Sequence, residues 1–243
     1  MTRLHPALPQ QRPLVIAHRF GNDLDLSQRA FDAGADMIET DIWRYRNRLE
    51  LRHIKTMGPI PLLWDRWELH PGWGHRFQLE DLLRGLPAAA RLFLDLKGED
   101  THLPIQLVET IRAIQPARQI IVCGRNWAQL DPIVDDSDVS VFYSVGSDQE
   151  LANICSQLDK MRHPAISINK RYLTEDLVRR LKDRNVTIVT WTVNTFAEAR
   201  KLHDLGVDGF TTDSPALLKW IPIERDVALD RPDIQPTEGT EPR

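Results

Sequence analysis

The feature that most constrains the fold is a regular alternation of apolar, β-rich runs with helical patterns. Because parallel strands covered by helices are near-continuously apolar, this alternation predicts a parallel sheet with helices on its outer face. The eight apolar runs are Leu14–Ala17, Met37–Ile42, Arg91–Leu96, Gln119–Cys123, Val139–Tyr143, Ala165–Ile168, Val186–Val193 and Gly209–Thr212. The helical patterns include Leu24–Ala33, Leu79–Leu86, Ile105–Ile114, Gln149–Leu158, Glu175–Asp183 and Ala197–Leu205.

Eight strand candidates favour a (β/α)8 TIM barrel, and barrels as long as this chain of 243 residues are commonly single domains. The alternative is a doubly wound open sheet, which usually carries a glycine-rich phosphate loop after its first strand. The segment His18-Arg19-Phe20-Gly21-Asn22 is not such a loop. We therefore predict one barrel domain over residues 13–220. An N-terminal extension over 1–12 precedes it, and an acidic, Pro-rich tail over 221–243 follows, which we expect to be disordered at its end.

The stretch from 54 to 78 interrupts the alternation. It is rich in proline and tryptophan, which predicts a long ordered loop after the second strand. Loops of this length in compact domains are often functional lids. A stiff cap packed on the barrel is the alternative.

Composition excludes several classes of function. The formal net charge of −4 gives no global basic field to attract nucleic acid. Cys123 and Cys155 are isolated, so they form neither a disulfide framework nor a zinc site. Residues 1–12 lack the apolar core of a secretory signal, and no apolar run approaches the ~20 residues of a spanning helix. We expect a cytoplasmic protein without a transmembrane segment. The sequence leaves the oligomeric state open.

Two acids stand in the middle of the second apolar run. Glu39 and Asp41 share a face of the strand, because side chains alternate with period two. Neighbouring carboxylates repel and raise each other's pKa, so a buried strand would need a compensating cation. A divalent metal with hard oxygen ligands is the natural choice. The alternative is a half-exposed edge strand with both acids in water.

Further polar residues follow the other strand candidates. In a TIM barrel these strand ends form one rim, which is where active sites lie. Each residue alone has an ordinary explanation, such as a surface histidine, a salt bridge or a turn, but their shared position on one rim has none. They are His18 and Arg19 after strand one, His53 after a hairpin-like continuation of strand two, Asp95 and Lys97 on strand three, Trp191 and Asn194 at strand seven, and Thr212 and Asp213 at strand eight.

These residue types fit one chemistry. Three carboxylates, Glu39, Asp41 and Asp95, can hold a divalent cation. Arg19 and Lys97 supply positive charge for phosphate oxygens, or else they only balance the three acids. Two histidines, His18 and His53, can act as general base and general acid near neutral pH. Together the set predicts cleavage of a phosphodiester.

The order and spacing of six motifs resemble the glycerophosphodiester phosphodiesterase family from about Leu14 to Leu218. The motifs are Ile16-Ala17-His18-Arg19, Gly34 to Ile42, His53, Leu94-Asp95-Leu96-Lys97, Thr190 to Asn194, and Gly206 to Pro215. The resemblance implies a TIM barrel that hydrolyses a glycerophosphodiester to glycerol 3-phosphate and an alcohol. A substrate hydroxyl would attack phosphorus, and water would open the cyclic phosphate.

The resemblance also implies a role for each candidate residue. His18 and His53 would be the acid/base pair, and Glu39, Asp41 and Asp95 would bind one Mg²⁺ or Ca²⁺. Arg19 and Lys97 would hold the phosphate, and Trp191 and Asn194 would lie on the substrate side.

The chain departs from the family pattern at several positions. Phe20 stands where the family usually has glycine, the Pro-Glu-Asn segment after the first strand is absent, Ile54 replaces an aspartate, and Asp95 replaces a glutamate. The short first loop also looks like sphingomyelinase D and related lysophospholipid-cleaving phospholipases D, whereas the C-terminal motifs favour the first family. Two alternatives follow: cleavage of lysolipids by the same mechanism, or a barrel retained as a binding or scaffold protein.

Overall fold

The computed structural model describes residues 12–53, 55–56, 62–65, 68–71, 76–159 and 161–219. The predicted tail over 221–243 and nearly all of the N-terminal extension lie outside these residues. So do much of the 54–78 segment and all of its side chains before Arg76.

Twelve strands and eight α-helices are present in the described residues. The strands are β1 (Leu14–Ala17), β2 (Met37–Tyr45), β3 (Arg48–Leu51), β4 (Lys55–Thr56), β5 (Leu62–Asp65), β6 (Glu68–Pro71), β7 (Leu92–Leu96), β8 (Ile120–Gly124), β9 (Val139–Val145), β10 (Ala165–Asn169), β11 (Thr187–Trp191) and β12 (Gly209–Thr212). The helices are α1 (Leu24–Asp32), α2 (Leu79–Gly85), α3 (Leu103–Ile114), α4 (Trp127–Leu130), α5 (Asp148–Leu158), α6 (Glu175–Lys182), α7 (Phe196–Asp204) and α8 (Pro215–Leu218). In this part of the chain no helix is long and apolar enough to cross a membrane.

Eight parallel strands close into a barrel. Their order is β1, β12, β11, β10, β9, β8, β7 and β2, and β1 also pairs with β2. Each strand corresponds to one of the eight predicted runs, which confirms the TIM barrel over the open sheet. Closure leaves β2 paired on both sides, which excludes the alternative of an exposed edge strand at Glu39 and Asp41.

The alternation of side chains along the strands produces two apolar layers. One face fills the barrel interior with a compact cluster that includes Ile16, Met37, Phe93, Ile121 and Phe142. The other face packs against the helices in a larger core. Since period two continues past the apolar interior layer, the next inward positions lie at the carboxyl ends of the strands, where Glu39, Asp41 and Asp95 stand.

The second strand is longer than predicted because it continues into a hairpin. Arg46 and Asn47 have φ values of 49° and 61°, as the two central residues of a tight hairpin turn require, and β3 returns antiparallel to β2. The segment after it was expected to be a loop. Instead, β4, β5 and β6 form a separate three-stranded antiparallel sheet.

Candidate active site

Three acidic side chains converge at the carboxyl ends of two neighbouring strands. Asp41 on β2 pairs in register with Asp95 on β7, and Glu39 lies one inward position earlier on β2. One carboxylate oxygen from each of the three lies within 4.8 Å of the other two. Glu39 and Asp41 are 3% and 1% exposed. The structure therefore brings together the three residues predicted to bind a metal.

Burial and mutual repulsion set the charges of this cluster. Burial, together with the charges of Asp41 and Asp95, raises the pKa of Glu39 well above its ordinary value. Burial and the charge of Asp41 also raise the pKa of Asp95, although Lys97 opposes them. Burial would raise the pKa of Asp41 as well, but hydrogen bonds from His53, Lys97 and Asn22 outweigh it and lower that pKa. The cluster favours additional positive charge.

Lys97 supplies part of that charge. Its Nζ lies 2.9 Å from Asp41 Oδ1 and forms an ion pair with Asp95. Burial alone would lower the pKa of Lys97, but these two carboxylates raise it above its ordinary value. Lys97 is therefore protonated throughout the neutral range. It bridges two of the three acids and leaves Glu39 without an ion pair among the described residues.

The loop after β1 fits tightly against β2. Arg19 adopts a left-handed conformation (φ 62°), which directs its backbone N–H to Glu39 Oε2 at 2.5 Å. The buried Arg19 Nε has no hydrogen-bond partner in the described structure. A Cβ atom built on Gly21 would lie 2.5 Å from Thr40 Cβ and 2.9 Å from the Glu39 carbonyl oxygen. Gly21, rather than the residue directly after Arg19, is thus the position that demands glycine.

Asn22 is a site residue that the sequence reasoning missed. Its Nδ2 donates to Asp41 Oδ2 at 2.9 Å, and its Oδ1 accepts from the Asp41 backbone N–H at 3.0 Å and from Thr40 Oγ1 at 2.7 Å. Asn22 therefore fixes the orientation of the Asp41 carboxylate. Its place just before the helix-capping Asp23 was a weak sequence signal, because asparagine at a helix start is common.

His18 is held by a residue in the loop after β12, the strand that pairs with β1. Its Nδ1 lies 2.7 Å from Asp213 Oδ1, in the loop after β12. Burial lowers the pKa of His18, and the hydrogen bond and charge of Asp213 oppose that shift. An Nδ1–H that donates to Asp213 leaves Nε2 as the acceptor.

Asn194 supports this arrangement. Its Oδ1 accepts from the Asp213 backbone N–H at 2.9 Å and from Thr212 Oγ1 at 3.2 Å. The structure places the predicted substrate-side amide in the loop after β11, where it holds Asp213, the partner of His18.

His53 lies where the hairpin ends. His53 follows β3, whereas Asp41 lies on β2, and His53 Nδ1 is 3.3 Å from Asp41 Oδ2. The backbone N–H of Arg52 donates to the Asp41 carbonyl oxygen at 3.0 Å. Buried Glu50 accepts from Arg52 Nε at 2.8 Å and from Arg76 Nη1 at 2.6 Å. This ion-pair network fastens the hairpin that presents His53.

The predicted residues thus lie around one mouth of the barrel. His18 and Arg19 follow β1, Glu39 and Asp41 lie on β2 beside the end of β7, Asp95 lies near the end of β7 and Lys97 follows it, and Trp191 ends β11. The donor set is three carboxylates at neighbouring strand ends, which suits a hard divalent cation such as Mg²⁺ or Ca²⁺ and does not suit the softer metals that prefer sulfur or imidazole.

Part of the chain is similar in sequence to a known family. Residues 104–217 match the sequence model of the glycerophosphoryl diester phosphodiesterase family. The match covers β8 to β12 with Trp191, Asn194 and Asp213, whereas the acids and both histidines lie before it. Among curated proteins no sequence relative matches.

Solved structures share the barrel over most of the chain. A glycerophosphodiester phosphodiesterase from Thermotoga maritima is 16% identical, with a TM-score of 0.67 over 85% of this chain and 96% of that one. A glycerophosphodiester phosphodiesterase from Parabacteroides distasonis is 21% identical, with a TM-score of 0.67 over 86% and 95%. An Oleispira antarctica phosphodiesterase, solved in complex with the product sn-glycerol-3-phosphate, is 16% identical, with a TM-score of 0.68 over 86% and 96%.

At these identities the solved structures establish the fold, and the sequence match to the glycerophosphoryl diester phosphodiesterase family covers residues 104–217, just under half of the chain. The chain is therefore similar to glycerophosphodiester phosphodiesterases in its barrel and in the sequence of that segment.

Proposed function

We propose that this protein hydrolyses a glycerophosphodiester to glycerol 3-phosphate and an alcohol, with the help of one divalent cation. The observation that carries the proposal is the largely buried cluster of Glu39, Asp41 and Asp95 at the barrel mouth, beside Lys97 and His53. A buried cluster of three acids costs stability unless positive charge compensates it. Functional use of the cluster explains that cost.

A cation held by Glu39, Asp41 and Asp95 would stabilise negative charge that develops on the phosphate oxygens. Asn22 and Lys97 orient two of these carboxylates in advance, because both hold Asp41 and Lys97 also holds Asp95. Lys97 then remains beside the phosphate as a second positive charge. The Arg19 guanidinium, whose Nε has no hydrogen-bond partner among the described residues, is available for phosphate oxygens.

His18 is suited to the role of general base. Because burial lowers its pKa, the ring is neutral near pH 7, and the contact with Asp213 leaves Nε2 free to accept a proton. In the proposed first step, the 2-hydroxyl of the glycerol moiety attacks phosphorus while its proton passes to His18. The bond from phosphorus to the leaving alcohol breaks, and His53 supplies the proton that the departing oxygen needs.

The second step reverses these roles. Water attacks the cyclic phosphate and gives up a proton to His53, while His18 returns its proton to the glycerol 2-hydroxyl. Both histidines return to their starting protonation states, and the products are glycerol 3-phosphate and the alcohol. The separate partners of the two histidines, Asp213 for His18 and Asp41 for His53, support this order.

A discontinuous assay of glycerol 3-phosphate release tests the proposal. Glycerophosphoglycerol should be hydrolysed in the presence of Mg²⁺ or Ca²⁺, and EDTA should abolish the reaction reversibly. An inactive protein with bound metal and intact fold would favour the binding or scaffold alternative. Faster cleavage of lysophosphatidylcholine than of water-soluble diesters would favour the lysolipid alternative.

A further inference from the structure

The half of the barrel mouth that faces away from the acids carries its own arrangement of charges. Arg125, Gly146 and Arg171 follow the carboxyl ends of β8, β9 and β10, and Trp191 ends β11. The acids and the histidines belong to β1, β2, β7 and the β2–β3 hairpin. If the phosphate of a diester binds at the acids, one end of the diester extends across the mouth. That end meets this second set of residues.

Gly146 is where these side chains meet. Its carbonyl oxygen accepts from Arg171 Nη2 at 3.0 Å, and its N–H donates to Glu150 Oε2 at 2.6 Å. A Cβ atom built on Gly146 would lie 3.1 Å from the Trp191 ring and 3.3 Å from the Arg125 guanidinium. The Trp191 ring thus reaches from β11 across the end of β10 to the loop after β9. The ring lines the rim beside Arg125 and Gly146, and we call it the Trp191 wall.

The charges on this part of the rim do not cancel. Arg125 is paired with Glu150 at 3.0 Å, and Lys170 is paired with Glu198 at 2.7 Å. Arg171 donates to the Gly146 carbonyl and to the Tyr172 hydroxyl, and within the described part of the chain it forms no ion pair with a carboxylate. One guanidinium charge is left over at the mouth, next to the Trp191 wall.

The same arginine covers one aromatic surface that a cationic head group could use, the Tyr172 ring. Quaternary ammonium groups bind on the faces of aromatic rings. The Arg171 guanidinium already lies 4.6 Å from the centroid of the Tyr172 ring. A choline or ethanolamine group that approached the Tyr172 ring would therefore meet a positive charge.

We propose that Arg171 selects the alcohol of the substrate, and that the preferred glycerophosphodiesters carry an anionic group on that alcohol. This inference rests on the proposed function, because it concerns the leaving group of the same reaction. The arginine offers donors to a carboxylate or a second phosphate and repels an ammonium group. Its exposed setting makes the preference sensitive to ionic strength.

Three diesters of one series test this selectivity. Glycerophosphocholine, glycerophosphoglycerol and glycerophosphoglycerol phosphate present a cationic, a neutral and an anionic alcohol. In low salt, kcat/KM should rise in that order, and the ratio between the anionic and the cationic substrate should be about tenfold or more. Raising the salt concentration should shrink the ratio.

The variant Arg171→Gln should reduce this ratio to near unity, whereas Arg171→Lys should preserve most of it, because the charge remains. Arg179→Gln is the matched control, since Arg179 is an exposed arginine on α6 that pairs with Asp176, and its ratio should equal that of the wild type. An unchanged ratio in Arg171→Gln, or equal turnover of all three diesters by the wild type, would overturn this inference but not the proposed function. Failure of the wild type to cleave any of the three with metal present would overturn the proposed function as well.

Discussion

Replacing Asp213 by asparagine tests how the site controls its general base. The side chain of Asp213 is 51% exposed, and its Oδ1 lies 2.7 Å from His18 Nδ1. The substitution keeps the size of the side chain but removes the charge that stabilises protonated His18. Arg19 and Asp41 also act on His18, in opposite directions, and both remain in the variant. Since Asp213 raises the pKa of His18 against the effect of burial, the variant should have a lower His18 pKa than the wild type.

The size of the shift follows from the exposure of the pair. Half-exposed ion pairs contribute only roughly 0.2–1 kcal/mol, so the loss of the Asp213 charge should lower the pKa of His18 modestly. A general base must be deprotonated, so kcat/KM rises with pH as His18 loses its proton. This acidic limb of the profile should move to lower pH in Asp213→Asn. The plateau should also fall, by about 10- to 100-fold, because the histidine loses the partner that fixes its tautomer.

The assay is a pH profile of kcat/KM for wild type and variant, with melting temperatures measured alongside. Asp176→Asn, a change of the same kind at an exposed carboxylate on α6, should leave the profile unchanged. A purely structural role for Asp213 would lower the melting temperature without moving the acidic limb. An acidic limb that moved to higher pH, or a plateau at the wild-type level, would refute the reasoning.

Three further substitutions test other parts of the site. Asp41→Asn should weaken Mg²⁺ or Ca²⁺ binding by about tenfold or more in a calorimetric titration, because it removes one of three ligand charges; unchanged affinity would exclude Asp41 as a ligand. If the planar Arg19 guanidinium binds two phosphate oxygens, Arg19→Lys should lower kcat/KM by an amount equivalent to about 1–3 kcal/mol of transition-state stabilisation. Steady-state kinetics identical to those of the wild type would leave Arg19 only a charge-balancing role. Gly21→Ala should lower the free energy of unfolding in urea by about 1–3 kcal/mol, because the new Cβ would overlap Thr40. Gly124→Ala, where a Cβ would make ordinary contacts, should be better tolerated.

The barrel was predictable because each strand candidate is an apolar run that remains buried on both faces. The period-two spacing of Glu39 and Asp41, and of Asp95 and Lys97, also carried over directly, since residues two apart on a strand share a face. Parallel register then brought Asp41 opposite Asp95, as the ends of neighbouring barrel strands require. Apolar runs and period-two spacing are local patterns, and they place side chains in the same way wherever the strand lies in the barrel.

The contacts that orient the site were not predictable in the same way. Asn22 and Asp213 approach their partners from loops, and their positions depend on how the chain turns after β1 and β12. The departure at Phe20 was visible in the sequence. The close approach that makes Gly21 necessary appears only when the loop lies against β2. The sheet of β4, β5 and β6 was missed because its proline and tryptophan content indicates a loop.

We propose that this barrel mouth cleaves a phosphodiester with a divalent cation and two histidines. Time-resolved ³¹P NMR of glycerophosphoglycerol follows substrate, cyclic phosphate and glycerol 3-phosphate in one sample. With Mg²⁺ or Ca²⁺, glycerol 3-phosphate should accumulate, EDTA should stop the conversion, and His18→Ala and His53→Ala should each slow it by about 10²–10⁴-fold with the fold intact. An unchanged substrate signal in the presence of metal, or conversion that persists in EDTA and in both histidine variants, would contradict the claim.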